Sequence, residues 1–131
     1  MVECLSVSPD GKRILSGSRD GTARLWSAET FETLHILDSH EDWVTQVDFA
    51  GDGRMMLSCS GGIARVWDVV TGRPISQFGG DERRVSSTVL HPATEMAAST
   101  LIGSNHVIIW NAVTGTPLLE IVSKPDINTP E

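Results

Sequence analysis

Tyrosine is absent from this 131-residue chain, which carries three phenylalanines and four tryptophans. A core with so few aromatic rings has to rest on aliphatic side chains. Cysteine is scarcer still. Cys4 and Cys59 lack the CxxC spacing of a zinc site and are too few for a disulfide scaffold, so free thiols in a reducing compartment are expected. Basic residues are also few: 10 Lys and Arg stand against 17 Asp and Glu, for a net charge of −7. Nucleic-acid binding depends on neutralising phosphates with Lys and Arg, so this balance weighs against it. No uncharged apolar run reaches the ~18 residues of a membrane helix, and the opening "MVECLSVSPDG" lacks the basic and apolar regions of a secretory leader. A soluble, intracellular, cytoplasmic setting is the expectation these absences leave.

Signatures of catalysis are missing as well. GxSxG, GxxxxGKS and GxGxxG do not occur. His35, His40, His91 and His106 have no metal-ligand spacing, and the acid pairs Glu41-Asp42 and Asp81-Glu82 read as solvated loop residues. The expectation is a non-enzyme with no cofactor and no metal.

What the chain does have is a repeat. "GTARLW", "GIARVW" and "NHVIIW" end on Trp26, Trp67 and Trp110, spaced 41 and 43 residues apart. Stepping back from each Trp, Leu25, Val66 and Ile109 align, as do Ala23, Ala64 and Val107, on one face of a period-2 strand. Upstream, "SVSPDGKRILSGS" matches "DFAGDGRMMLSCS" and, more loosely, "VLHPATEMAASTL". A further apolar stretch follows each Trp: "FETLHIL", "RPISQF" and "TPLLEIV". Each unit thus holds four short strands, separated by turns such as Pro9-Asp10-Gly11, Asp20-Gly21 and Gly61-Gly62. No window supports a long helix, and an all-β array follows.

These residues resemble WD40 repeats, the units of β-propeller blades, whose period is about 40 to 45 residues with a Gly-His near the start and Trp-Asp near the end. The second unit, "SHEDWVTQVDFAGDGRMMLSCSGGIARVWD", is the most similar. The resemblance implies three four-stranded antiparallel blades, at about residues 1–38, 39–79 and 80–122, and a polar, disordered tail at 123–131. Such blades stack and share their apolar sides, because a four-stranded sheet cannot bury both faces alone.

The resemblance also implies a buried hydrogen-bonded set in each blade: a His before the first strand, a Ser or Thr, a turn Asp and the Trp. The first repeat supplies Ser16 or Ser18, Asp20 and Trp26, with its His falling before Met1. The second supplies His40, Ser58 or Ser60, and Trp67, with Gly61 where the Asp would stand. The third has Trp110 with Ser99 or Thr100, while Asp81 and Ser104 replace the His and the Asp. The expected network is Ser18, Asp20, Trp26, His40, Ser60, Trp67 and Trp110.

By the same resemblance, the chain is an interaction or scaffold module for protein or peptide partners, with no role at nucleic acid or membrane. The family's partner-facing positions flank the first-strand valine and precede the turn Asp. Here they are Met1 and Glu3 about Val2, Trp43 and Thr45 about Val44, Arg84 and Ser86 about Val85, and Arg19 before Asp20. Trp and Arg dominate interface energetics, which puts Arg19, Trp43 and Arg84 first. A propeller enzyme or small-ligand binder working through the central channel, and a purely architectural remnant, are the alternatives. Complete propellers have about four to eight blades. Three blades imply a partial ring continued in a longer propeller protein, of which this would be a fragment or regulatory arm, or half of a six-blade head-to-tail homodimer.

Overall fold

The structure is a computed structural model that describes residues 1–38, 40–50, 52–91 and 94–122. The expected tail at 123–131 lies outside the described residues. Twelve strands follow one another along the chain. They are β1 (Val2–Val7), β2 (Arg13–Ser18), β3 (Ala23–Ser27), β4 (Thr33–Leu37), β5 (Val44–Phe49), β6 (Met55–Ser60), β7 (Ile63–Asp68), β8 (Pro74–Gly79), β9 (Val85–Leu90), β10 (Met96–Leu101), β11 (His106–Asn111) and β12 (Pro117–Val122). Each consecutive set of four forms one antiparallel meander: β1–β4, β5–β8 and β9–β12. The fold is all-β, and no helix among the described residues is long and apolar enough to cross a membrane.

Period-2 alternation gives every sheet two unlike faces. One carries the tryptophan: Leu5, Ser16 and Arg24 lie in one row across sheet 1, and Val7, Ile14 and Trp26 in the next. The other carries the small aliphatics, with Ser6, Leu15 and Leu25 in a row and Gly17 beside Ala23. Stacking joins unlike faces. Leu15, Ala23 and Leu25 of sheet 1 pack on Val47, Phe49, Met56 and Trp67 of sheet 2 in one core cluster. Leu57, Ala64, Val66 and Phe78 on the far side of sheet 2 pack on Leu90, Ala97, Ile108 and Trp110 of sheet 3 in the other. Phe78 stacks on the Trp110 ring, 5.2 Å between centroids. Among the described residues, sheet 2 is the only one covered on both sides.

The inner pair of each sheet is interrupted once, near the start of its first strand. The register skips between Val2 and Cys4, between Val44 and Gln46, and on the partner side between Thr100 and Leu101, which pair with Ser87 and Val85. Glu3, Thr45 and Ser86 are the extra residues at these three bulges. A bulge leaves one residue out of the ladder and re-aims its side chain.

Candidate interaction surface

The bulges lie at the same edge of all three sheets, beside the β2–β3, β6–β7 and β10–β11 turns. All seven residues expected at a partner-facing surface come to this edge: the Met1 carbonyl accepts from the Arg19 N–H at 2.9 Å, and the other six fall into two neighbouring groups.

In the first group, Arg19 forms an ion pair with Glu3 through its Nε and lays its guanidinium over the Trp43 ring, 4.3 Å from the centroid. Cation–π contact and the ion pair act together to hold Arg19 in one place. The chain thereby joins sheet 1 to the loop that opens sheet 2. Trp43 remains 48% exposed, so most of its other surface is free. Asp42 fixes the base of this loop by accepting a hydrogen bond from the Trp43 N–H at 2.7 Å.

The second group surrounds an open cleft of about 300 Å³ between sheets 2 and 3, where Trp43 and Thr45 face Arg84, Ser86 and Ile102. Its floor is the β6–β7 turn. Only Gly61 and Gly62 connect these strands, against the four residues Arg19–Thr22 between β2 and β3. Both glycines have positive φ, 59° and 83°, the backbone that a two-residue hairpin of this twist requires. A Cβ on Gly62 would stand 2.9 Å from the Arg84 Cβ, so the Arg84 stem lies directly on the glycine. A second cleft of about 370 Å³ opens on the other side of the same turn, lined by Glu41, Asp42, Ser60, Arg65, Asp81 and Arg84. Arg84 serves both clefts, and among the described residues it makes no ion pair. Thr45 is anchored by donating its hydroxyl to the Cys59 carbonyl at 3.3 Å.

The hydrogen-bonded set behind this surface departs from the expected one. Trp26 donates to Ser16 at 2.9 Å, Trp67 to Ser58 at 2.8 Å and Trp110 to Ser99 at 2.9 Å. Ser18 and Ser60, the expected partners, instead donate to the Met1 and Asp42 carbonyls at 3.0 Å and 2.7 Å. The reason is reach. Trp26 pairs across the ladder with Ile14, so Ser16 is its diagonal neighbour while Ser18 stands two residues further along the same face, roughly 7 Å away. The same geometry favours Ser58 over Ser60.

His40 joins its set as expected by position, with Nε2 2.6 Å from Ser58 Oγ. Burial, and then the Arg65 charge, hold its ring below the ordinary pKa of 6.5. Asp20 does not join: it is exposed and accepts from the Thr22 N–H at 2.9 Å and the Thr22 hydroxyl at 2.7 Å, within its own turn. Those two bonds keep its carboxyl below the usual carboxylate range. In sheet 3 the partner of Ser99 is Thr88 of β9, at 2.6 Å, in the role the sequence had suggested for Asp81. Thr88 sits on a strand rather than in the preceding loop, and no repeat pattern marks it.

The family model for "WD domain, G-beta repeat" matches residues 1–27 and 31–68. With three four-stranded blades in the structure, that match is decisive. The chain belongs to the WD40-repeat family.

Proteins similar to this chain are far longer. The kinesin-like protein KIF21B of Homo sapiens is 31% identical over 121 residues, covering 90% of this chain and 7% of its own length. Apoptotic protease-activating factor 1 of Homo sapiens is 33% identical over 85 residues, covering 59% of this chain and 7% of its own. Among solved structures, the WD40 repeats of RRP9 superpose with a TM-score of 0.79 at 23% identity, over 93% of this chain and 38% of that one. A chain of the mitotic checkpoint complex superposes with a TM-score of 0.78 at 20% identity, over 94% of this chain and 41% of that one. The chain therefore spans a small part of the relatives' sequences and about two fifths of the solved propeller chains. The likeness to the structures shows the shared fold.

Proposed function

We propose that the chain is a non-catalytic WD40 module that binds a protein or peptide partner across the clefts on either side of the Gly61–Gly62 turn. The observation that carries this reading is that the exposed residues Trp43 and Arg84 line one cleft of about 300 Å³. Aromatic and Arg side chains set around a desolvated depression are the usual energetic centre of an interface. Rigid sheets and bulges hold this pair in place, so little ordering entropy is lost when a partner docks. Glu3, Arg19, Thr45 and Ser86 form the polar rim. The two unpaired cysteines support an intracellular, cytoplasmic setting. The small share of the relatives' length that the chain spans supports a role as one arm of a larger propeller protein.

The test is a displayed peptide library selected against the purified chain, with each binder then measured against Trp43→Ala and Arg84→Glu. Both positions are exposed, so the variants should melt like the parent. Binding should fall at least tenfold in each. Selected peptides that bind both folded variants as tightly as the parent would defeat the proposal.

A further inference from the structure

The stretch Arg83-Arg84-Val85-Ser86 sets two arginines three and two residues ahead of a hydroxyl. Protein kinases choose acceptors partly by the charges that flank them, and a kinase with an acidic substrate groove is complementary to such a pair. Arg83, Arg84 and Ser86 are all exposed. Arg83 meets Glu120 at 3.8 Å, an exposed contact that solvent keeps weak. Arg84 makes no ion pair among the described residues.

Five other hydroxyls follow an arginine by three residues, and none combines these features. Ser16 is buried and accepts from the Trp26 indole, and Thr22 donates to Asp20. Ser27 accepts from the Glu29 and Thr30 amides, and Ser76 donates to the Ala112 carbonyl. Ser87 has Val85 where the second arginine would stand and is paired with Thr100 in the ladder.

Ser86 is the extra residue of the β9 bulge, outside that ladder, and among the described residues its hydroxyl makes no hydrogen bond. Thr45 holds the same bulge position in sheet 2 and is exposed although that sheet is covered on both sides, so the exposure belongs to the bulge. The two hydroxyls differ in one respect: Thr45 is tied to the Cys59 carbonyl, and Ser86 is free.

We infer that Ser86 is a phosphorylation site for a kinase that selects paired arginines, and that the phosphate it receives captures Arg84. The kinase transfers the terminal phosphoryl group of a nucleoside triphosphate. A bond forms between Ser86 Oγ and phosphorus as the bond from that phosphorus to the bridging oxygen breaks, the nucleoside diphosphate leaves, and the hydroxyl proton passes to the kinase's catalytic carboxylate. Strand β9 is extended and has β10 as its one ladder partner among the described residues. It enters a kinase groove once the bonds from the Val85 N–H to the Gly62 carbonyl and from the Ile102 N–H to the Arg84 carbonyl, both 2.8 Å, are released. Edge backbone of this kind opens locally at low free energy.

The phosphate adds a charge of about −1.5 to −2 and three acceptor oxygens. It stands on the wall of the cleft of about 300 Å³ that Ser86 and Arg84 both line. A guanidinium without an ionic partner is a strong, bidentate match for it. Where Arg84 receives a protein partner, as proposed above, this capture withdraws it and turns the surface off. That consequence rests on the proposed function, whereas the modification and the Arg84 pair do not.

The test incubates the folded 131-residue chain with magnesium, ATP and the catalytic subunit of cAMP-dependent protein kinase. The chain should gain one phosphate, and fragment masses should place it on Ser86. Ser86→Ala should gain none, and Arg83→Ala should gain it at least tenfold more slowly. Followed by phosphorus NMR, the second ionisation of the phosphate should fall below its ordinary value of about 6, because the Arg84 charge favours the dianion. Arg84→Gln, phosphorylated by longer incubation, should raise it again. No phosphate on the folded chain, phosphate on Ser87 or another hydroxyl, or an ionisation that Arg84→Gln leaves unmoved would overturn the inference. Selected peptides that need Arg84 should bind the phosphorylated chain at least tenfold more weakly, and unchanged binding would overturn it too. Absence of any such peptide defeats the proposed function instead, and the site of the phosphate and its ionisation still decide this inference.

Discussion

Ser58 accepts a hydrogen bond from the Trp67 indole at 2.8 Å and lies 2.6 Å from His40 Nε2 through the same oxygen. The indole can only donate, so the hydroxyl proton of Ser58 is available to the imidazole. One fully buried serine thus ties β6, β7 and the loop before β5 together, with the His40 and Trp67 rings tilted against each other 5.8 Å apart.

Removing that oxygen leaves a buried indole N–H without an acceptor. An orphaned buried donor costs about 1 to 3 kcal/mol, whereas one ordinary hydrogen bond is worth about 1 kcal/mol. Ser58→Ala should therefore lower the urea midpoint more than Ser60→Ala, which loses only the bond to the Asp42 carbonyl. Ser16→Ala should fall between wild type and Ser58→Ala, since water reaches the half-buried Trp26. Equal midpoints for Ser58→Ala and Ser60→Ala would refute the assignment.

Protonating His40 removes the acceptor that Ser58 addresses and places a charge near Arg65. Because the folded ring has its pKa depressed, the unfolded chain binds protons first as pH falls. The contribution of His40 to stability is complete above the ordinary value of 6.5 and declines as pH drops from there through the lower folded value. Urea unfolding at pH 7.5 and at pH 5 should show the loss, and His40→Gln should flatten it. A pH slope unchanged by the substitution would sink this account.

Cys59 is buried between sheets 2 and 3, and burial pushes its thiol up to about 12. The thiolate is the reactive form. In a Cys4→Ser background at pH 8, Ellman's reagent should leave Cys59 unmodified in the folded chain and titrate it fully in urea. Fast labelling without denaturant would mean that the junction between sheets 2 and 3 opens readily.

Much of this architecture was written in spacing. Trp26, Trp67 and Trp110 mark the blades, and alternation in "GTARLW" and "GIARVW" places Leu25 and Val66 in the core. Alternation cannot decide between Ser16 and Ser18, which share a face; only the diagonal across the ladder does. Nor does a period of two reveal a bulge, so the extra-ladder positions of Glu3, Thr45 and Ser86 emerge from pairing alone. Arg19 on Trp43 joins two different blades, and Thr88 completes the set of Ser99 from a strand with no marker residue. Contacts between repeats are invisible to a comparison of repeats. Asp20 shows the same limit from the other side: its turn chemistry could be read locally, but its distance from any buried partner could not.

Among the described residues, sheet 2 alone has a neighbour on either side, and that inequality has a thermodynamic meaning. In a linear array, stability lies largely in the couplings between units rather than within them. Releasing an end blade breaks one coupling, and releasing the middle blade breaks two. The chain should therefore fray inward, with the amides of β6 and β7 exchanging last and the segment from His40 to Phe78 acting as the keystone on which both flanks depend.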